Sequence, residues 1–157
     1  MTSAPAGGPP VTGPQPFTLR AATEADVPFL LSLREQTMDG HFRASGVVVT
    51  RDEHRERVRV RFECAQIIES EGRPAGLFKA TRDGLAWELI QIQLAPELQG
   101  RGIGEQLIRR LIDEARHAGA SISLNVLHAN PARRLYERLG FRVVADADHM
   151  YVMRISA

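Results

Sequence analysis

Between residues 85 and 104 an apolar strand, with WELIQIQLAP at its centre, runs directly into a glycine-rich turn and then an amphipathic helix. The turn reads Gln99-Gly100-Arg101-Gly102-Ile103-Gly104, with glycine at alternate positions. Such spacing lets the backbone adopt φ values that a Cβ disfavours and lets a ligand approach the main chain closely. The helix that follows starts with N–H groups that have no internal acceptor, at the positive end of its dipole. A corner of this kind binds phosphate, so the passage points first to a phosphate-bearing ligand.

Two familiar phosphate loops do not fit. A P-loop needs Lys-Ser/Thr after its last glycine, and Glu105 and Gln106 follow Gly104 here. A dinucleotide fingerprint starting at Gly100 requires glycine at position 105, where glutamate stands. The pattern that remains is Gln-x-x-Gly-x-Gly. A second segment, VLHANPARRLYERLGF over residues 126–141, places an asparagine before a short helix that carries a tyrosine and ends at Gly140-Phe141.

The rest of the chain reads as one domain. Its 157 residues, 43% of them apolar, suffice for a single core. A net charge of +1 gives no nucleic-acid footprint. No apolar run reaches bilayer-spanning length and no signal pattern opens the chain, so a cytoplasmic protein is expected. Cys64 is the single cysteine and reads as a small core residue in a strand. The five histidines lack metal-ligand spacing, so no metal is expected. Residues 1–16, rich in Pro, Gly and Ala, are expected to form a disordered tail before a domain over 17–157.

Periodicity predicts the elements. A strand over 17–20 is followed by a helix opened by Thr23-x-x-Asp26, with Val27, Leu30, Leu31 and Leu33 inward. Residues 37–47 read as irregular. Thr50-x-x-Glu53 opens a second helix reaching about Phe62. Strands over 64–69 and 74–81 flank a hairpin turn at Glu71-Gly72-Arg73, and a strand over 85–95 follows the Asp83-Gly84 turn. The helix from Gly102 buries Ile103, Leu107, Ile108, Leu111, Ile112 and Ala115, and Gly119 stops it. A strand over 121–127, a helix capped by Asn130 and ended by Gly140, and strands over 142–145 and 150–155 complete the chain. The order β-α-α-β-β-β-α-β-α-β-β makes this an α/β protein with a mixed sheet flanked by helices.

The two motifs together, in this order and with a strand between them, resemble those of GNAT-type N-acetyltransferases, and the likeness in element order spans roughly residues 17–155. The resemblance implies a single-domain, mostly antiparallel GNAT-like sheet in which the strands over 85–95 and 121–127 splay to admit a pantetheine arm. It implies acetyl-coenzyme A as cosubstrate and transfer of its acetyl group to a primary amine. Gln99, Gly100, Arg101, Gly102, Ile103 and Gly104 would hold the pyrophosphate, Leu94 would pair with pantetheine, and Asn130 and Tyr136 would contact the coenzyme. Tyr136 stands at the family's general-acid position, and a phenol of pKa about 10 can protonate a departing thiolate of pKa about 8.5. Each of the last two has a plain alternative: Asn130 as a helix cap, and Tyr136 as part of the apolar stripe with Ala132, Leu135 and Leu139.

The nucleophile sets the remaining demand. A lysine-like amine of pKa about 10.4 is neutral in only about 1 in 2,500 copies at pH 7, a cost of roughly 4.6 kcal/mol, whereas an α-amine near 7.8 costs about 1 kcal/mol. Glu88 stands eleven residues before Gln99, where histone-type relatives carry a strand glutamate, and is the base candidate. Its alternative is an exposed residue at a strand start, with a water relay in its place; His41 and His128 are lesser candidates. By the same resemblance the acceptor pocket lies beside residues 34–47 and 145–149, which offer Glu35, Asp39, His41, Arg43, Asp146 and Asp148. A small-molecule amine is the expected acceptor. A protein or peptide amine, and a non-catalytic coenzyme-binding module on the same fold, stand as alternatives. A homodimer through the last strand pair is compatible with the resemblance, and no nucleic-acid or membrane partner is expected.

Overall fold

The computed structural model describes residues 16–156, so the tail expected over residues 1–16 lies outside the described residues except for Pro16. The elements are β1 (Thr18–Ala21), α1 (Val27–Ala44), α2 (Arg51–Arg59), β2 (Ala65–Ser70), β3 (Arg73–Thr81), β4 (Ala86–Leu94), α3 (Ile103–Ala118), β5 (Ser121–Leu127), α4 (Ala132–Leu139), β6 (Arg142–Asp146) and β7 (Met150–Ile155). Among the described residues seven strands form one sheet in the order β1-β2-β3-β4-β5-β7-β6. Of these described strands β4 and β5 pair parallel, and every other neighbouring pair is antiparallel. The mixed, mostly antiparallel α/β sheet is the one read from the sequence.

Apolar faces divide the helices between two cores. Leu107, Ile108, Leu111 and Ile112 of α3 pack on Phe78, Leu89, Ile122 and Leu124 of the sheet. On the opposite side Leu30 and Leu33 of α1 and Val58 of α2 meet Ala65, Ile67 and Leu77. The six α3 residues expected to be inward are all buried, and Gly119 ends the helix at φ 70°. Thr50 Oγ1 accepts the Glu53 N–H at 3.2 Å, as a capping residue should.

Three sequence expectations change. Residues 37–44 are the last turns of α1 and not irregular chain, because Phe42 packs its ring 6.0 Å from His54 of α2 and this tertiary contact outweighs the poor helix propensity of Gly40. The second helix stops at Arg59 and does not reach Phe62; Phe62 and Cys64 form a separate 3₁₀ turn. Cys64 is therefore half-buried just ahead of β2, with its Sγ 3.7 Å from the Arg61 guanidinium, and is not a core strand residue. Among the described residues no helix is long and apolar enough to cross a membrane. β6 forms one edge of the sheet and is exposed along its length.

Lys79, the chain's only lysine, explains where α2 ends. It is fully buried on β3, and its Nζ donates to the carbonyls of Val60 (2.6 Å), Val58 (3.0 Å) and Arg57 (3.4 Å). The Val58 and Val60 carbonyls stand at the end of α2, where a helix leaves such groups without partners, while the Arg57 carbonyl also accepts the Val60 N–H at 3.3 Å; a cation complements that end of the dipole. Burial, with the Arg57 and Arg34 cations nearby, lowers its pKa to about 8. Lys79→Met keeps the length of the stem and strands those carbonyls. We expect a loss of about 2–4 kcal/mol, read as a lowered urea midpoint at pH 7 with unchanged m-value.

Asp26 ties β1 to the start of α1. Both its oxygens accept from the Arg20 guanidinium at 2.8 Å, and Oδ2 accepts the Thr23 N–H at 2.8 Å. The Arg20 hydrogen bonds lower its pKa to about 2. This tie is therefore intact above about pH 4 and is lost as pH falls toward 2.

Candidate active site

A β-bulge creates the cleft. Along β3, Lys79 faces Gln91 and Ala80 faces Leu89, so Ile90 is an extra residue on β4. Bulges bend a strand and break its ladder. Parallel pairing to β5 ends at the same level, at Leu89 opposite Leu124. Beyond it, residues 90–94 of β4 and 125–127 of β5 diverge with no ladder between them. The bulge also resets the alternation of side chains. Trp87 and Leu89 belong to the α3 core, and so, after the extra residue, do Ile92 and Leu94. Gln91 and Gln93 consequently face the α1–α2 side.

The cleft so formed has a volume of about 560 Å³. Its walls are Leu89 to Gln93 of β4, Leu124 to Leu127 of β5, Asn130, Tyr136 of α4, and residues of α1, α2 and the segment between them. Tyr136 is 7% exposed and meets Phe141 edge-on at 5.9 Å between ring centroids. Its hydroxyl has no hydrogen-bond partner among the described residues, and burial raises its pKa to about 12. The phenol thus keeps its proton at neutral pH, with its oxygen unpaired among the described residues. Asn130 Oδ1 accepts the Ala132 N–H at 2.9 Å, which is the capping role, while its amide N–H₂ remains available at the cleft wall.

The glycine loop lies at the far end of β4. Gly100 and Gly102 have φ of 74° and 82°, a region that favours glycine. Gly102 serves as the N-cap of α3, with no side-chain hydrogen bond to the first turn, so the N–H groups there face outward unpaired by a cap. Gln99 Nε2 donates to the Leu94 carbonyl at 3.0 Å, closing the loop against its own strand. Ile103 is fully buried, and so contributes its backbone alone. Arg101 is exposed.

Other expected residues stand apart from the cleft. Glu88 is part-buried two positions before the bulge, its N–H donating to Thr81 Oγ1 at 3.0 Å, and it is not part of the cleft wall. His128 pairs with Asp146 at 2.7 Å and lies against Tyr151, outside the cleft. Glu35, Asp39, His41, Arg43 and Asp148 do not line it either. Instead α1 presents Arg34, Met38 and Phe42. Their spacing of four residues is a helix stripe, a signal hidden once 37–47 is read as loop. Gln91 and Gln93 were missed for a similar reason, because an unmarked bulge puts them on a face that simple alternation assigns to the α3 core. Among the described residues, no group of three or more His, Cys, Asp or Glu is placed to hold a metal.

Strands that separate at a bulge, with an uncapped helix start behind left-handed glycines beyond them, make a cleft whose far end suits an anion. The profile of the Acetyltransferase (GNAT) family matches residues 30–141, and the chain belongs to that family. Over 57 residues it is 39% identical to an L-methionine sulfoximine/L-methionine sulfone acetyltransferase of Salmonella typhimurium, covering 35% of this chain and 33% of that protein. Over 65 residues it is 37% identical to a GCN5-like protein acetyltransferase of Mycobacterium tuberculosis, covering 40% of this chain and 32% of that protein. The chain thus spans about a third of the length of these curated relatives. Its fold matches the PaiA N-acetyltransferase of Thermoplasma acidophilum, solved in complex with coenzyme A, with a TM-score of 0.71 at 14% identity over 91% of this chain and all of that one. Acetyl-coenzyme A is the cosubstrate of the family. The residues here fit such a ligand: among the described residues the splayed strands leave main-chain groups without ladder partners, and the uncapped α3 terminus is suited to an anion.

Proposed function

We propose that this chain transfers an acetyl group from acetyl-coenzyme A to a primary amine, and that the acceptor is a small molecule. The observation that carries the reading is the free hydroxyl of buried Tyr136 in the wall of the splayed cleft. The backbone over residues 100–104 and the Arg101 guanidinium hold the diphosphate, and the open edges of β4 and β5 align the pantetheine arm. Acetyl-coenzyme A supplies the acyl group as a thioester. As the amine nitrogen bonds to the carbonyl carbon and the C–S bond breaks, Tyr136 donates its proton to the leaving sulfur; the nitrogen releases one proton to water, and a proton from solvent restores the phenol. Asn130 contacts the coenzyme with the amide N–H₂ that its capping bond leaves over.

A small acceptor is favoured because residues of α1, α2 and the segment between them, Val47 and Val49 included, wall one side of the cleft. The test is thiol release from acetyl-coenzyme A over a panel of amines, amino acids, peptides and antibiotics. Turnover confined to peptides would move the assignment to a protein N-acetyltransferase. Coenzyme binding with no turnover of any amine would leave a non-catalytic module.

Glu88 remains the candidate base, acting through water from just upstream of the bulge. In the Glu88→Gln variant the kcat/KM profile, measured at several pH values including 7, should drop about 10- to 100-fold. An unchanged profile would remove Glu88 from the mechanism.

A further inference from the structure

The acceptor side of the cleft holds more unmet polar capacity than acyl transfer alone requires. Arg34 is a cation only 6% exposed. Its Nε donates to His54 Nδ1 at 3.0 Å, so that nitrogen of the buried imidazole is the acceptor. The other, Nε2, then carries the proton and donates to Asp39 Oδ1 at 2.5 Å. This relay fixes the guanidinium but uses only one of its nitrogens. The two Nη nitrogens meet no acceptor among the described residues, and the group lies 5.6 Å from the centre of the Phe42 ring. Arg57, half-buried on α2, lines the same cleft and forms no ion pair among the described residues. Burial and the Arg57 charge together lower the Arg34 pKa to about 10. Asp39, beyond His54, acts in the opposite sense, and the Arg34 guanidinium forms no ion pair of its own among the described residues.

The facing strand adds to the imbalance. Gln91 and Gln93 are 5% and 6% exposed and line the cleft. Both polar atoms of the Gln91 amide, and Oε1 of Gln93, are buried without a hydrogen-bond partner among the described residues. Buried polar atoms are ordinarily paired, so these mark a place where a ligand completes the set.

The chemistry of that ligand follows from the groups. A guanidinium fork matches a carboxylate with two parallel N–H···O bonds. The Gln91 N–H₂ offers a further donor. The two amide oxygens require N–H donors, which a reacting amine has. Met38, Phe42 and Val47 supply an apolar wall for a hydrocarbon body. Glu53 and Glu56 also line the cleft but are exposed, whereas Arg34 is buried. We propose that the acceptor is an amino acid or a close analogue, a primary amine that also carries a carboxylate, with Arg34 binding the carboxylate and Gln91 and Gln93 orienting the amine. This rests on the acetyltransferase reading above. A polyamine would bring positive charge against Arg34 and Arg57, and a lysine side chain within a protein carries no carboxylate to meet them.

The test compares matched acceptors on the full chain. The 20 common amino acids, their carboxamides and their decarboxylated amines are assayed for thiol release, with acetyl-coenzyme A binding measured by calorimetry. At least one amino acid should be turned over about 100-fold or more better, in kcat/KM, than its own carboxamide, consistent with the loss of a bidentate charged contact. In Arg34→Gln that ratio should collapse to within about threefold through a raised KM, while coenzyme affinity is unchanged. Because Arg34 is buried, Arg57→Gln provides a second variant, expected to reduce the same ratio about tenfold. Carboxamides or plain amines used as well as the acids, or a preference that survives in both variants, would overturn the proposal. So would bound acetyl-coenzyme A with no amino acid turned over. A failure to bind acetyl-coenzyme A at all would instead defeat the acetyltransferase reading beneath it.

Discussion

Gly102→Val should lose acetyl-coenzyme A affinity by about 100-fold or more while the protein still folds. Two effects act together. Residue 102 sits at φ 82°, where a β-branched side chain is strained, at a cost of about 2 kcal/mol. The loop can relieve that strain only by turning its amides away from their present directions. Charge-assisted hydrogen bonds are each worth roughly 1.5–3 kcal/mol, so misdirecting two of them removes at least two orders of magnitude in affinity. Gly104 supplies the control. A Cβ built there would meet only Ile92 Cδ1 at 3.7 Å and Leu94 Cδ1 at 3.9 Å, which are ordinary contacts on the core side of α3. Gly104→Ala should therefore bind acetyl-coenzyme A within about threefold of the parent. Calorimetric titration of both variants decides the matter: unaltered binding by Gly102→Val would mean that the diphosphate is held elsewhere.

The glycine loop was legible in sequence because a backbone requirement leaves a residue-type signature. Left-handed φ at positions 100 and 102 calls for glycine, and glycine is what stands there. Helix α3 was equally open to reading, since its core contact is a single stripe at helical spacing. The α1–α2 side of the cleft was not. Its floor depends on an extra residue at Ile90, and neither glycine nor proline marks that bulge. An unbroken strand over 85–95 would set Gln91 and Gln93 on the face of Trp87 and Leu89; the bulge moves them to the other. Likewise Gly40 and the polar residues around it have the local character of a loop, and only contact between Phe42 and α2 shows that the helix continues. Charged groups read as pocket residues, such as Glu35 and Arg43, thereby fell one helical face away from Arg34, Met38 and Phe42, which line the cleft.

Tyr136→Phe should lower kcat by about 10²- to 10⁴-fold, the range that one positioned proton donor supplies, with acetyl-coenzyme A affinity changed by no more than a few-fold. The substitution removes a single oxygen that makes no hydrogen bond within the described chain, and the edge-on contact with Phe141 is preserved. Folding stability should accordingly stay within about 0.5 kcal/mol of the parent, so lost turnover cannot be assigned to lost structure. The pH dependence gives a second, independent check. Burial raises the phenol to about 12 from its ordinary value of 10. A raised folded pKa means that the stability tied to the neutral phenol is complete below pH 10 and is lost as pH climbs through 12. The same shift keeps the phenol protonated through the neutral and mildly alkaline range. In the parent enzyme kcat should thus show no decline attributable to a proton donor between pH 8 and about 10.5, measured over the range in which the fold is intact. A tyrosine titrating at its ordinary pKa would already have lost most of its protons at the top of that range. An alkaline limb centred at or below pH 10 that persists unchanged in Tyr136→Phe would assign the proton to another group. Full turnover by Tyr136→Phe would reduce Tyr136 to a wall of the cleft.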